Sequence, residues 1–149
     1  MPIWNDSELQ MMKDFIIKRI KKEGLKLTPQ RLAIIEILVD QSPLHPSACL
    51  VYQEAKRRRK SLSLSTVYAT LNELSRHGII KVLEFDKMEN RYEGNIADHI
   101  NLICKSCKKI FDYKNPLSID SEEIKRKARF VVTDTRLDYY GYCQECGKK

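Results

Sequence analysis

No stretch of this 149-residue chain approaches the roughly 20 consecutive apolar residues that a membrane-spanning helix requires, so none is expected. The opening residues, Met1-Pro2-Ile3-Trp4-Asn5-Asp6, hold no basic segment followed by an apolar one. No secretory signal is therefore expected, and the chain reads as cytoplasmic. Histidine is sparse, at three residues, and cysteine stops at five. There is no His-Glu-x-x-His sequence, no glycine-rich phosphate loop and no nucleophile set beside a base. The usual signs of a hydrolase or a nucleotide-using enzyme are thus missing, and the expectation is a protein without enzymatic activity. Repeats and low-complexity segments are also absent. With 42% hydrophobic and 32% charged residues, the composition is that of a folded chain.

The little cysteine there is sits in a pattern. Cys104/Cys107 and Cys143/Cys146 form two Cys-x-x-Cys pairs, and the remaining residue, Cys49, lies between apolar neighbours as a core residue would. Two such pairs supply the four thiolates of a tetrahedral zinc site, closed and therefore structural. The alternative is a redox dithiol, but those come singly at a strand-to-helix junction. A segment of about 55 residues struggles to hold together on apolar burial alone. Structural zinc contributes an apparent ~10–16 kcal/mol in small peptides, so here it is expected to be a folding requirement.

Upstream, apolar spacing predicts four helices. One runs over 7–23, a second starts at Thr28-Pro29, a third covers 46–56, and a fourth is capped by Ser63 or Ser65 and ends before Gly78. Period-two alternation over 79–85, a turn around 86–90 and a return strand containing Tyr92 complete a winged helix. Beyond a hinge at Gly94-Asn95, strands are expected near 99–104, 109–113 and 130–142, with a helix near 118–128. The expected fold class is α+β, with a winged helix-turn-helix domain over 1–93 and a small zinc-stabilised α/β domain over 94–149.

The formal charge of +7 favours a polyanionic partner, although four thiolates around one zinc ion would lower it. Lys56-Arg57-Arg58-Arg59-Lys60 is an unbroken basic run. Just after it, Ser65, Thr66, Tyr68 and Asn72 share the outward side of the fourth helix, with hydroxyl, aromatic and amide groups suited to base edges and phosphates. An amphipathic helix with a merely polar outer face is the competing reading.

The stretches LKLTPQRLAIIEIL (25–38), LSLSTVYATLNELSRHGII (62–80), RYEGN (91–95), HINLICKSCKKIFDY (99–113) and YGYCQECGKK (140–149) together resemble the ferric uptake regulator superfamily. That superfamily comprises metal-dependent bacterial repressors with iron-, zinc- and peroxide-responsive branches. The resemblance implies a C-terminal dimerisation domain and a homodimer that binds inverted-repeat operators in double-stranded DNA when metal-loaded. It matches Tyr68 to a base-contacting tyrosine and Lys26 to a basic residue that reaches the minor groove. Ala69 departs from the Arg or Asn often found at its position. It also implies a regulatory site made of His45, Glu93, His99, Asn101 and Asp112.

Asn101 stands where a third histidine is usual, and Glu93 where some branches carry Asp. Such a set is rich in hard oxygen donors and suits Fe²⁺ or Mn²⁺, or Zn²⁺ less selectively. The accessory-site positions read Asp98, Ile100, Ile119 and Thr135, and no metal is expected there. Asp112 resembles the peroxide-responsive branch and Glu93 the iron-uptake branch. The expected function is a metal-dependent DNA-binding repressor in iron homeostasis or the peroxide response. The alternative is a zinc-stabilised nucleic-acid-binding protein that senses no metal.

Overall fold

Each of the first four helices begins where a side chain can accept the amide hydrogens that a helix start leaves over. A computed structural model describes residues 4–42, 45–95, 99–114 and 120–147. Helix α1 (Asp6–Lys22) opens with a capping box: Asn5 Oδ1 accepts from Glu8 N at 2.8 Å, and Glu8 returns the bond to Asn5 N at 2.9 Å. Helix α2 (Pro29–Asp40) has Thr28 as cap and proline in its first turn. Ser47 caps α3 (Ala48–Arg58), and Ser63, not Ser65, caps α4 (Leu64–Arg76).

The apolar faces of these helices meet around Ile16, Ile20, Ile34, Leu38, Val51 and Leu71, all fully buried. Helix α2 buries six side chains spread around its circumference, because it runs through the middle of this core.

The wing is shorter than its sequence pattern. Strands β1 (Lys81–Leu83) and β2 (Arg91–Glu93) pair antiparallel, with Val82 opposite Tyr92. Ile79 and Ile80 precede β1 and are both buried, and Ile79 N closes the end of α4 on Leu74 O at 2.9 Å, where it is unavailable to a ladder. Gly78 makes that closure possible, at φ +66°.

The chain divides into two units, 1–96 and 97–149, slightly beyond the expected boundary after residue 93. Gly94 belongs with the first unit for a steric reason: a Cβ there would lie 3.1 Å from Met12 Sδ and 3.2 Å from Ile16 Cδ1.

The second unit is a three-stranded sheet in the order β4-β3-β5. Strand β3 (His99–Cys104) pairs antiparallel with β4 (Ile110–Lys114). Helix α5 (Ser121–Ala128), capped by Asp120, precedes β5 (Leu137–Gly141), which pairs parallel with β3. The strand expected over 130–142 therefore shrinks to β5. Phe130 and Val131 lie exposed outside the ladder, so their apolar character marks no buried strand. A short helix, α6 (Gln144–Gly147), was not anticipated and carries the last cysteine. The accessory-site positions Asp98 and Ile119, and the first residues of the helix expected at 118–128, lie outside the described residues. Among the described residues no helix is long and apolar enough to cross a membrane.

Replacing Gly78 with alanine places a Cβ in the left-handed region. Urea unfolding followed by helical circular dichroism is expected to show a loss of about 1–2 kcal/mol.

Candidate metal centres and DNA-reading helix

Strand β3 ends on Cys104 and β5 is followed at once by Cys143, so the parallel pairing of the two strands brings the two Cys-x-x-Cys turns together. One ligand atom from each of Cys104, Cys107, Cys143 and Cys146 lies within 4.8 Å of the others. The Cys107 and Cys143 sulfurs are 3.8 Å apart. A regular tetrahedron with Zn–S bonds of about 2.3 Å has an edge of about 3.8 Å, so the sulfurs are spaced as that ion needs them.

The turns also prepare thiolates. Cys143 N–H, reaching Cys104 Sγ at 3.4 Å, and then the Cys107 and Ser106 amides hold the Cys104 thiol down at about 6. Cys107 takes the Lys109 amide, yet burial and the three neighbouring thiols push it up to about 11. Four sulfurs this close cannot all be charged without a cation among them, and one zinc ion resolves the conflict. The cluster suits structural zinc.

Two of the three histidines, His45 and His99, stand in buried polar clusters, one in each unit. In the first unit His45 is fully buried, and its Nε2 lies 2.9 Å from Glu93 Oε1. Its backbone is unusual: φ is +48° in a non-glycine residue that precedes a proline. Residues in sparsely populated regions cost about 1–3 kcal/mol and persist where neighbours over-determine them. Strand β2 does so here. Arg91 Nη1 donates to His45 O at 3.1 Å, and Tyr92 N donates to Pro46 O at 2.9 Å. The next residue along the strand is Glu93, so β2 both holds the imidazole and faces it with a carboxylate. Arg91 was not singled out from sequence, because a clamp through a backbone carbonyl leaves no pattern there.

In the second unit His99, Asn101 and Asp112 converge. Period two puts His99 and Asn101 on one face of β3, and the register sets Asp112 directly opposite Asn101. His99 Nε2 lies 3.1 Å from Asn101 Oδ1 and 3.3 Å from Asp112 Oδ1, and all three residues are buried. One imidazole nitrogen, one amide oxygen and one carboxylate form a predominantly hard donor set. Beside it is a residue that sequence reasoning missed. Asp138 of β5 stands opposite Asn101 and accepts from its Nδ2 at 3.0 Å. Its position follows from the β3–β5 register, which no local pattern reveals.

On α4, Ser65, Tyr68, Ala69 and Asn72 are exposed, whereas Val67, Thr70, Leu71 and Leu74 are buried. Thr66 is half-buried, its Oγ1 2.9 Å from Ser63 Oγ, where it reinforces the helix start. Tyr68 keeps its phenol proton above the usual range, first through the Cys49 thiol beside it and then through burial. Cys49 is accordingly half-buried next to this helix, not in the core.

Lys26 is exposed. Within the basic run, Arg57 turns to Glu54 at 3.6 Å, and Arg58 to Glu36 at 2.8 Å and Asp40 at 3.6 Å. Lys56 lies over the Tyr52 ring. Much of that charge is thus answered within the protein. His77 is the C-cap of α4, its ring 3.6 Å from Glu23.

These features agree with what the chain is similar to. The peroxide operon regulator of Bacillus subtilis is 35% identical over 134 residues, covering 89% of this chain and 92% of that protein. The ferric uptake regulator Fur of Helicobacter pylori, described as having three functional metal-binding sites, superposes with a TM-score of 0.71. It is 29% identical and covers 95% of each chain. The Campylobacter jejuni peroxide stress regulator gives a TM-score of 0.65 at 28% identity, over 98% of this chain and all of its own. The model of the ferric uptake regulator family matches residues 22–140. With α+β units of this design, a four-sulfur cluster and that match over most of its length, the chain belongs to the ferric uptake regulator family.

Proposed function

We propose that this protein is a metal-dependent transcriptional repressor that reads an inverted-repeat operator as a homodimer in the cytoplasm, and that it serves the peroxide response. The observation that carries the reading is the presence of a buried imidazole–carboxylate cluster in each unit: His45 with Glu93, and His99 with Asn101 and Asp112. Neither cluster alone offers the ligands that a six-coordinate divalent ion takes up. Together they offer two nitrogens and three oxygens, the five positions implied by the family resemblance.

A cation shared by these residues would favour one arrangement of the two units. In a dimer that sets the separation of two α4 helices, which must match half-sites about one or two helical turns apart. By linkage, operator DNA then tightens the cation by the factor with which the cation tightens DNA. On α4, the exposed Ser65, Tyr68 and Asn72 serve as base-reading groups, with Thr66 at the helix start and Lys26 toward the backbone or minor groove. A second copy would cover one face of the β4-β3-β5 sheet. There Tyr113, Leu137 and Tyr139 are 53%, 41% and 55% exposed, a large apolar surface for a lone chain.

The peroxide assignment, rather than iron uptake, is favoured by the peroxide regulators among the relatives above 30% identity and by aspartate at position 112. When bound, ferrous iron would supply the reductant for hydrogen peroxide. His45 and His99 are the oxidisable side chains beside it.

Three outcomes are expected. His99→Ala makes operator-binding curves with and without Mn²⁺ coincide while zinc content stays at one per chain; a retained Mn²⁺ response would remove the regulatory site from this position. Cys107→Ser releases zinc, and the amide resonances of residues 99–147 collapse to the random-coil range while those of the first unit stay dispersed. Iron-loaded protein treated with hydrogen peroxide gains one oxygen atom on the peptide carrying His45 or His99, as read by mass spectrometry; an unmodified mass on both peptides speaks for iron homeostasis instead.

A further inference from the structure

Asn101 is the member of the second-unit cluster whose chemistry depends on which way it faces. Its side chain carries a carbonyl oxygen, which can bind a cation, and an amino group, which cannot. Rotation by half a turn exchanges the two with no change in shape. Something must therefore decide the orientation, and the geometry points to Asp138. We propose that Asp138 is a positioning residue for the regulatory cation site: it captures the Asn101 amino group and so commits the Asn101 oxygen to the metal. The inference rests on the regulatory site proposed above.

A carboxylate only accepts hydrogen bonds, so the Asn101 atom 3.0 Å from Asp138 Oδ1 must be the amino nitrogen. The oxygen is then the atom 3.1 Å from His99 Nε2, on the side of Asp112. Asp138 is itself pinned. Arg136 places Nε at 3.0 Å and Nη2 at 2.9 Å from Oδ2, and the Tyr140 hydroxyl donates to the same oxygen at 3.2 Å. Both guanidinium bonds and the phenol bond fall on Oδ2, which leaves Oδ1 for Asn101. The Asp138 side chain is only 12% exposed, so water competes weakly for that acceptor.

The arrangement resembles the partner that fixes a ligating histidine through its second nitrogen, transferred to an amide. It also bears on selectivity. An oxygen held toward the ion keeps the set hard and favours Mn²⁺ or Fe²⁺. Releasing the amide removes a donor and leaves the two imidazoles dominant, which favours Zn²⁺.

The test uses full-length protein with its cysteine-bound zinc in place and Mn²⁺ as the probe, titrated by calorimetry. Asp138→Ala is expected to weaken Mn²⁺ binding about 10–100-fold, the effect typical of losing a partner behind a metal ligand. Asn101→Ala should lose about as much, and the double variant no more than Asn101→Ala alone, because the two residues act as one unit. Zn²⁺ binding at the same site should fall less, so the Mn²⁺/Zn²⁺ affinity ratio drops. Wild-type Mn²⁺ affinity in Asp138→Ala, with binding abolished in His99→Ala, would overturn the positioning role and leave the site standing. Mn²⁺ binding that survives His99→Ala would overturn the site itself.

A second measurement needs no variant to fold. In wild-type protein without added metal, one Asn101 side-chain amide proton should be shifted downfield and slowed in exchange by its carboxylate partner. Two equivalent, fast-exchanging amide protons would refute the inference.

Discussion

The parallel pairing of β3 with β5 is the constraint on which the second unit depends. Its ends are joined by a four-sulfur cluster, with Lys105 N donating to Gly141 O at 2.8 Å where the strands run out. Because side chains alternate, slipping β5 by one residue would turn Asp138, Arg136 and Tyr140 to the opposite face and bring Leu137 and Tyr139 onto the polar side. The cysteines prevent that slip. They fix the register at one end of the sheet, and the register delivers Asp138 to Asn101 further along. The four-sulfur cluster thereby bears on the cation site proposed around Asn101: it sets the strand alignment that places Asp138 beside that residue.

The two units draw their stability from different sources. The first closes a conventional apolar core around α2, with helix starts capped by Asn5, Thr28, Ser47 and Ser63. In the second, the buried apolar side chains among the described residues are Ile100, Ile103, Cys104 and Ile110, and α5 buries none. A buried polar cluster occupies much of the rest. Polar groups in such a place hold only if satisfied, so the unit relies on its metal and its hydrogen-bond network where the first relies on hydrophobic burial.

The first unit was legible because its signals are local. Serine or threonine ahead of an apolar period marks a helix start, glycine after one marks its end, and the α+β class follows. The four cysteines were legible for a similar reason, since two spacings of the same kind announce one tetrahedral site. What sequence could not supply was register. His99 and Asn101 share a face by period alone, but Asp138 joins them through a parallel ladder between strands more than thirty residues apart, as the pairing of Asn101 with Asp138 records. The strand expected over 130–142 is shorter in the structure for the same reason: Phe130 and Val131 have strand-like side chains but no ladder to join. Arg91 acts on a backbone carbonyl, which carries no side-chain pattern in the sequence.

The left-handed turn at His45 narrows what can replace it. That region of backbone space admits glycine freely and tolerates asparagine, aspartate and histidine better than other side chains. Of those, only histidine brings a ring nitrogen. The ring nitrogen that faces Glu93 and the bend of the main chain are therefore not two independent demands on one position. A mutation that drifts toward an easier backbone forfeits the imidazole, and a different nitrogen-bearing side chain would have to bear the strain.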